Sequence, residues 1–137
     1  AQTSVRNQIR TLEKDGLIKI KKSKPFNGFA ADRDNEEFIF HKRAYNFSSL
    51  YELNQLLITQ LYPKSIVLFG SYSRGEDIER SDIDLLIISK AKQQIDLSKY
   101  EKKLKRKINI MIIDKIDELD DIIKDKIYNG IVLYGSI

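Results

Sequence analysis

Apolar residues recur along this chain with distinct spacings, and each spacing predicts an element. Val5, Ile9 and Leu12 fall at helical intervals, and Gly16 supplies a stop. Leu17-Ile18-Lys19-Ile20-Lys21 alternates apolar and polar, the period of a strand. Lys24-Pro25-Phe26-Asn27-Gly28 has turn composition, Asp32 to Glu37 reads as polar loop, and Phe38-Ile39-Phe40 as a returning strand. Leu53, Leu56, Leu57 and Leu61 form the stripe of a helix from about Ser49, with Ser49-Leu50-Tyr51-Glu52 as a capping box and Pro63 as its end. Three compact apolar runs then predict buried strands: Ser65 to Phe69, Asp82 to Ile88 and Ile108 to Ile113.

The connections follow from the same reading. Ser71 to Asp77 predicts a short helix or turn. Ser98-Lys99-Tyr100-Glu101 offers a second capping box, opening a basic helix to about Arg106 with Leu104 inward and the charges solvated. A last helix covers about Leu119 to Tyr128, stopped by Asn129-Gly130, and Ile131 to Tyr134 closes the chain. Strands alternating with helices give an α/β (α+β) fold: a small mixed sheet with flanking helices over residues 47–137, preceded by a separate segment, 1–46. Sequence repeats and low-complexity stretches are absent.

One stretch departs from simple patterning. In "LFGSYSRGEDIERSDIDLLII" a buried strand delivers the chain to Gly70, where a missing side chain lets a phosphate approach the backbone. Ser71 follows at a helix start, where a hydroxyl and free amides can hold phosphate oxygens. Asp82-Ile83-Asp84 then runs straight into the apolar Leu85-Leu86-Ile87-Ile88. Residues two apart on a strand share a face, so both carboxylates project together. Two ionised carboxylates side by side repel unless a cation sits between them. Magnesium suits such a pair, since it takes few carboxylates plus phosphate oxygens.

Composition narrows the chemistry further. There is no cysteine, so disulfides and thiolate metal sites are excluded, and a metal must use oxygen ligands or the single His41. Oxygen ligands point to Mg2+ or Mn2+. The absence of cysteine fits a cytoplasmic setting; no apolar run approaches the ~20 residues that span a bilayer, and no secretory signal pattern is present. The net charge of +4 is uneven. Residues 1–24 hold seven basic side chains against two acidic ones, and residues 99–107 hold six against Glu101. Such patches suit anionic partners or are solvated faces. His41 reads as an exposed residue, and Tyr45, Tyr51 and Tyr62 as packing residues.

The central segment resembles the polymerase β-type nucleotidyltransferase superfamily, whose pattern is hydrophobic-Gly-Ser, a spacer, then Asp-hydrophobic-Asp-hydrophobic. Gly70, Ser71, Asp82 and Asp84 match it. The ten-residue spacer, with Ser73-Arg74-Gly75 and Ser81, is similar to the minimal nucleotidyltransferases of bacteria and archaea. The resemblance spans about Ser65 to Ile137 and includes the closing "YNGIVLYG". It implies transfer of a nucleoside monophosphate, most often AMP from ATP, to a hydroxyl with release of pyrophosphate. Gly70 and Ser71, with Arg74 and Ser81, would bind nucleotide, and Asp82 and Asp84 would hold magnesium. The superfamily usually adds a third carboxylate on the next core strand. Here that position is Asn109, which can ligate a metal through oxygen but cannot take a proton as a base. Asp114 lies on the opposite face by parity. In such families the partner is often a HEPN-type RNase toxin, with the transferase as antitoxin.

A second resemblance covers "SVRNQIRTLEKDGLIKIKK", which is similar to the recognition helix and first wing strand of winged-helix regulators. It implies phosphate and base contacts from Arg6 and Arg10 to DNA. The supporting helices that normally precede it are missing, which leaves truncation, relic or proteolysis open. Three readings follow: an AMP-transferring enzyme, a DNA-binding regulator with a nucleotide-sensing transferase domain, and a catalytically inactive scaffold made credible by Asn109.

Overall fold

A computed structural model describes residues 2–137 and divides the chain into two compact units, which part between Lys42 and Arg43. In the first unit, helix α1 (Gln2–Lys14) ends at Gly16, whose φ of +77° turns the chain. Strand β1 (Ile18–Lys21) pairs antiparallel with β2 (Gly28–Ala31), from Ile18 opposite Ala31 to Lys21 opposite Gly28. The returning strand is therefore β2, and not Phe38-Ile39-Phe40. Those three residues lie in helix α2 (Glu36–Ser49). The cause is a cap that apolar patterning overlooks. The Asn35 carboxamide oxygen accepts the Phe38 amide at 2.9 Å, and Glu36 and Glu37 place negative charge at the helix's positive end.

The second unit is built on a four-stranded sheet in the order β5-β4-β3-β6. Its strands are β3 (Ser65–Phe69), β4 (Ile83–Ile88), β5 (Ile108–Ile113) and β6 (Ile131–Gly135). β4 and β5 run parallel while β3 pairs antiparallel with both β4 and β6, so the sheet is mixed. The crossover between the parallel strands carries helix α5 (Ser98–Leu104). The unit also holds the helices α3 (Tyr51–Leu61), the single turn α4 (Ser71–Arg74) and α6 (Asp121–Tyr128).

Both predicted capping boxes fail for an identifiable reason. Ser49 belongs to the end of α2, where its hydroxyl bonds the Asn46 carbonyl and shares a 2.8 Å hydrogen bond with the Tyr72 hydroxyl. Leu50 precedes α3 without a side-chain cap. Ser98 bonds Asp96, and the Glu101 carboxylate accepts the Ile108 amide instead. In each case another partner took the group that the local pattern assigned to the helix end.

Packing sets where chemistry can occur. One sheet face presents Ile66, Leu68, Ile83, Leu85 and Ile87 to the α3 stripe of Leu53, Leu57 and Leu61, all at most 1% exposed. Burying each such side chain contributes about 1.5–3 kcal/mol. The opposite face joins Val67, Leu86, Ile88 and Ile113 to Leu119 and to Ile127 of α6. That second apolar cluster ends along β4 at Leu86. The next position on the same face toward the strand's start is Asp84, and there the candidate site begins.

Candidate active site

Asp84 is the second residue of β4, and Asp82 lies just before the strand. The parallel register sets Asp84 beside Asn109 of β5. One nitrogen of the Asn109 carboxamide donates to Asp82 Oδ2 and to Asp84 Oδ1, each at 3.0 Å. The two carboxylates thus converge on a single point, as their two-residue spacing predicts. All three side chains are half-buried, open enough for a ligand and covered enough to hold one orientation.

Gly70 completes this corner. β3 ends at Phe69, opposite Asp84 in the antiparallel register, and Gly70 turns into α4 with φ +77° and ψ −166°. A side chain there would be strained by the left-handed φ, and its Cβ would sit 2.7 Å from Asp84 Oδ2. The residue's smallness therefore makes room for the carboxylate, a role that the phosphate-cradle reading of Gly70-Ser71 did not include. The Ser71 and Tyr72 amides open a one-turn helix, ahead of its first helical hydrogen bonds. Ser73 ties that turn back, donating from both its amide and its hydroxyl to the Gly70 carbonyl.

The remaining expected residues divide. The Ser81 hydroxyl accepts the Ile78 amide at 2.9 Å and closes the loop that delivers Asp82. Arg74 is exposed and paired with Glu76 at 2.9 Å. Asp114 follows the far end of β5, five residues beyond Asn109 and roughly 16 Å along the strand. Arg6 and Arg10 lie exposed on α1 in the first unit. His41 is exposed and pairs with Glu37 one turn away at 3.5 Å. Tyr45, Tyr51 and Tyr62 are 67%, 68% and 84% exposed, so none is the packing residue expected.

A buried polar network beneath the site went unread in the sequence. The Asp77 carboxylate, with a fully buried side chain, accepts from Arg106 at 3.0 Å and from the Asn46 carboxamide at 2.7 Å. Asn46 also donates to the Tyr72 carbonyl, Arg106 to the Glu79 carbonyl, and Arg43 to the Ser73 carbonyl. These bonds fix α4 and the 75–81 loop that lead into the Asp pair. Arg106 is accordingly not part of a solvated basic face, although Leu104 does pack inward. Burial raises the Tyr72 phenol above its ordinary value of 10.0, an effect that its hydrogen bond with Ser49 partly opposes. The sequence signal was faint: Asp77 follows Gly75-Glu76 as one more acidic residue in a polar loop.

Whether magnesium fits can be judged from these donors. Among the described residues no group of three or more Asp, Glu or His side chains gathers to hold a metal. Two convergent carboxylates do, and that is the number magnesium takes when a triphosphate supplies further oxygens. The donor set therefore fits a metal bound together with nucleotide. Two grooves among the described residues lie apart from this corner: one of about 440 Å³ runs beside Ile110 and Ile112, on the sheet face opposite Asn109, and one of about 620 Å³ lies between α3 and β6. The chemistry of the residues, more than concavity, locates the site.

Comparison with known proteins bears on this arrangement. The sequence profile of the nucleotidyltransferase domain matches residues 50–136. A protein of Methanocaldococcus jannaschii named as a candidate protein adenylyltransferase is 57% identical over 37 residues. That match covers 26% of this chain and about a quarter (25%) of the relative's length. Two solved structures are similar at a TM-score of 0.47: a toxin–antitoxin with AMP-PNP at 22% identity, and a mutant of the toxin–antitoxin MntA–HpeT at 19%. Each alignment covers 66% of this chain, with 74% and 73% of the respective structure.

Proposed function

The chain belongs to the nucleotidyltransferase domain family, and from that premise we propose that it transfers AMP from ATP to a hydroxyl acceptor, with magnesium or manganese. The observation that carries this reading is the convergence of Asp82 and Asp84 on one point beside Gly70. Residues 47–137 form the transferase domain. Asp82 and Asp84 would hold the metal, with Asn109 able to add a neutral third ligand by turning its oxygen inward. Gly70, Ser71, Ser81 and Arg74 contact the nucleotide, Arg74 by exchanging Glu76 for a phosphate. When bound, the metal neutralises charge developing on the α-phosphate and on the departing pyrophosphate.

In the reaction the acceptor oxygen bonds to the α-phosphorus as the bond to the β-phosphate bridge breaks. Pyrophosphate leaves, and the hydroxyl proton passes to solvent or to a group on the acceptor, because Asn109 cannot take it. Catalysis then rests on positioning and on electrostatic stabilisation. The candidate protein adenylyltransferase among the relatives supports AMP and a protein acceptor. As in the minimal transferases that the motif resembles, the acceptor is a HEPN-type toxin and this chain its antitoxin.

The test is direct. Purified protein with magnesium and α-labelled ATP is expected to label its partner, and D82A and D84A each to lower the rate by at least about a hundredfold. Unchanged labelling by either variant would overturn the assignment.

A second reading concerns residues 1–46 as a partial winged helix. Arg6 and Arg10 stand one turn apart and exposed on α1, and an antiparallel hairpin bearing exposed Lys19 and Lys21 follows. A helix followed by a basic hairpin suits a duplex's phosphates. On this reading the chain is a DNA-binding regulator whose transferase domain is nucleotide-sensing or inactive.

A further inference from the structure

We infer that the Asn109 amide stands in for the cation, holding Asp82 and Asp84 together until metal and nucleotide arrive jointly. The inference rests on the proposed metal–nucleotide chemistry for the identity of the ligand. Its physical basis is the hydrogen bonding alone.

Two like charges at one corner of a sheet need relief, which a cation or a shared proton ordinarily supplies. Here a neutral group supplies it. The carboxamide nitrogen has two N–H bonds, and its two acceptors are Asp82 Oδ2 and Asp84 Oδ1, at 3.0 Å each. Ionised carboxylate oxygens only accept, so the amide must present its nitrogen and not its oxygen to them. Hydrogen bonds to charged groups are stronger than those between neutral ones. The backbone permits no drift, because Asn109 is fixed beside Asp84 by the parallel β4–β5 register. A carboxylate at position 109 would place a third negative charge at the same point and would need a metal to be tolerated. The amide makes the corner stable without one.

The same bonds set how a cation loads. To ligate a divalent ion, Asp82 and Asp84 would give up both N–H contacts, and Asn109 would swing aside or turn its oxygen inward. Two carboxylates against that cost give weak binding of the ion by itself. Triphosphate oxygens complete the coordination, so ion and nucleotide bind as a unit. Asn109 is thus a positioning residue that couples metal affinity to nucleotide.

The experiment is thermal unfolding of the full chain as wild type, N109D and N109A, in chelator, in magnesium alone, and in magnesium with ATP. In chelator both variants are expected to unfold on the order of 5 °C below wild type. Magnesium alone raises N109D and leaves wild type unmoved, with sodium chloride of equal ionic strength as the control. Wild type responding to magnesium alone as strongly as N109D would overturn the inference, as would N109D matching wild type in chelator. Should N109A not fold, N109D decides the matter. The ATP arm separates the two readings. A magnesium response confined to N109D, with no ATP response in wild type, sinks nucleotidyl transfer and the joint loading with it, but leaves the amide as the cation's stand-in. An ATP response with no magnesium-specific effect in N109D does the reverse.

Discussion

At position 70 the backbone conformation and the neighbouring carboxylate impose the same requirement, and their contributions can be separated. Gly70→Ala forces a side chain into a positive-φ conformation that essentially only glycine adopts, costing about 1–3 kcal/mol, and presses Cβ against Asp84. Urea unfolding is expected to register both effects in G70A, and only the backbone cost in G70A/D84A, a non-additivity that marks direct contact. Additive losses would show that the carboxylate moves aside freely. Tyr72 offers a pH readout. Its phenol is raised by burial, so the neutral form is the one the fold prefers. The associated stability is complete below the ordinary value of 10.0 and is lost as pH climbs through the higher folded value. Tyr72→Phe is expected to flatten that alkaline loss, measured by unfolding free energy at successive pH values above neutrality. An identical alkaline slope in wild type and variant would contradict it.

At the scale of elements, the informative feature is how loops and strand starts are held. The turn from β3 into α4 and the loop to Asp82 rest on Asp77, whose charge is met by Arg106 just ahead of β5. Arg106 side-chain exposure is 14% and that of Asp77 is 0%, so the pair is largely desolvated. Breaking one side of such a pair costs about 3–5 kcal/mol. Arg106→Ala is expected to show a loss of that order in chemical denaturation, with Arg106→Lys recovering only part of it because a point charge cannot make the same two contacts. A loss below about 1 kcal/mol would place Arg106 among ordinary surface ion pairs. The sequence could not mark this pair. Arg106 sits in a run of lysines that reads as a solvated face, and Asp77 is one acidic residue among several. Twenty-nine residues separate them, and only the β4–α5–β5 crossover brings them together. The strands were legible for the opposite reason: their apolar runs leave burial as the one inexpensive arrangement.

Across the whole molecule the charge is unevenly placed, and that suits two different anions. Among the described residues no helix is long and apolar enough to cross a membrane. If α1 and the hairpin meet duplex phosphates, affinity is expected to fall linearly on logarithmic salt with a slope of about −0.9 for each phosphate contacted. Replacing Arg6 and Arg10 with alanine should then reduce the slope by about two contacts' worth, read by fluorescence anisotropy across a salt series. A slope indifferent to both residues would remove them from any nucleic-acid interface. The same variants leave Asp82 and Asp84 untouched, so nucleotide transfer should proceed unaltered.

Much of this protein was fixed by local chemistry that a linear reading recovers. Strand runs bounded by glycine, a helix stripe ended by proline, and the two-residue spacing of Asp82 and Asp84 each depend on neighbours a few positions away. Helix ends were misjudged where a side chain had a choice: Ser49 and Ser98 took partners other than their helix ends, and Asn35 capped a helix where a strand was expected. What only the tertiary structure decided was the pairing of β4 with β5. That register put the Asn109 amide between two carboxylates from 25 and 27 residues away. Cross-strand partners are chosen by the packing of both sheet faces at once, and no short stretch of sequence contains that information.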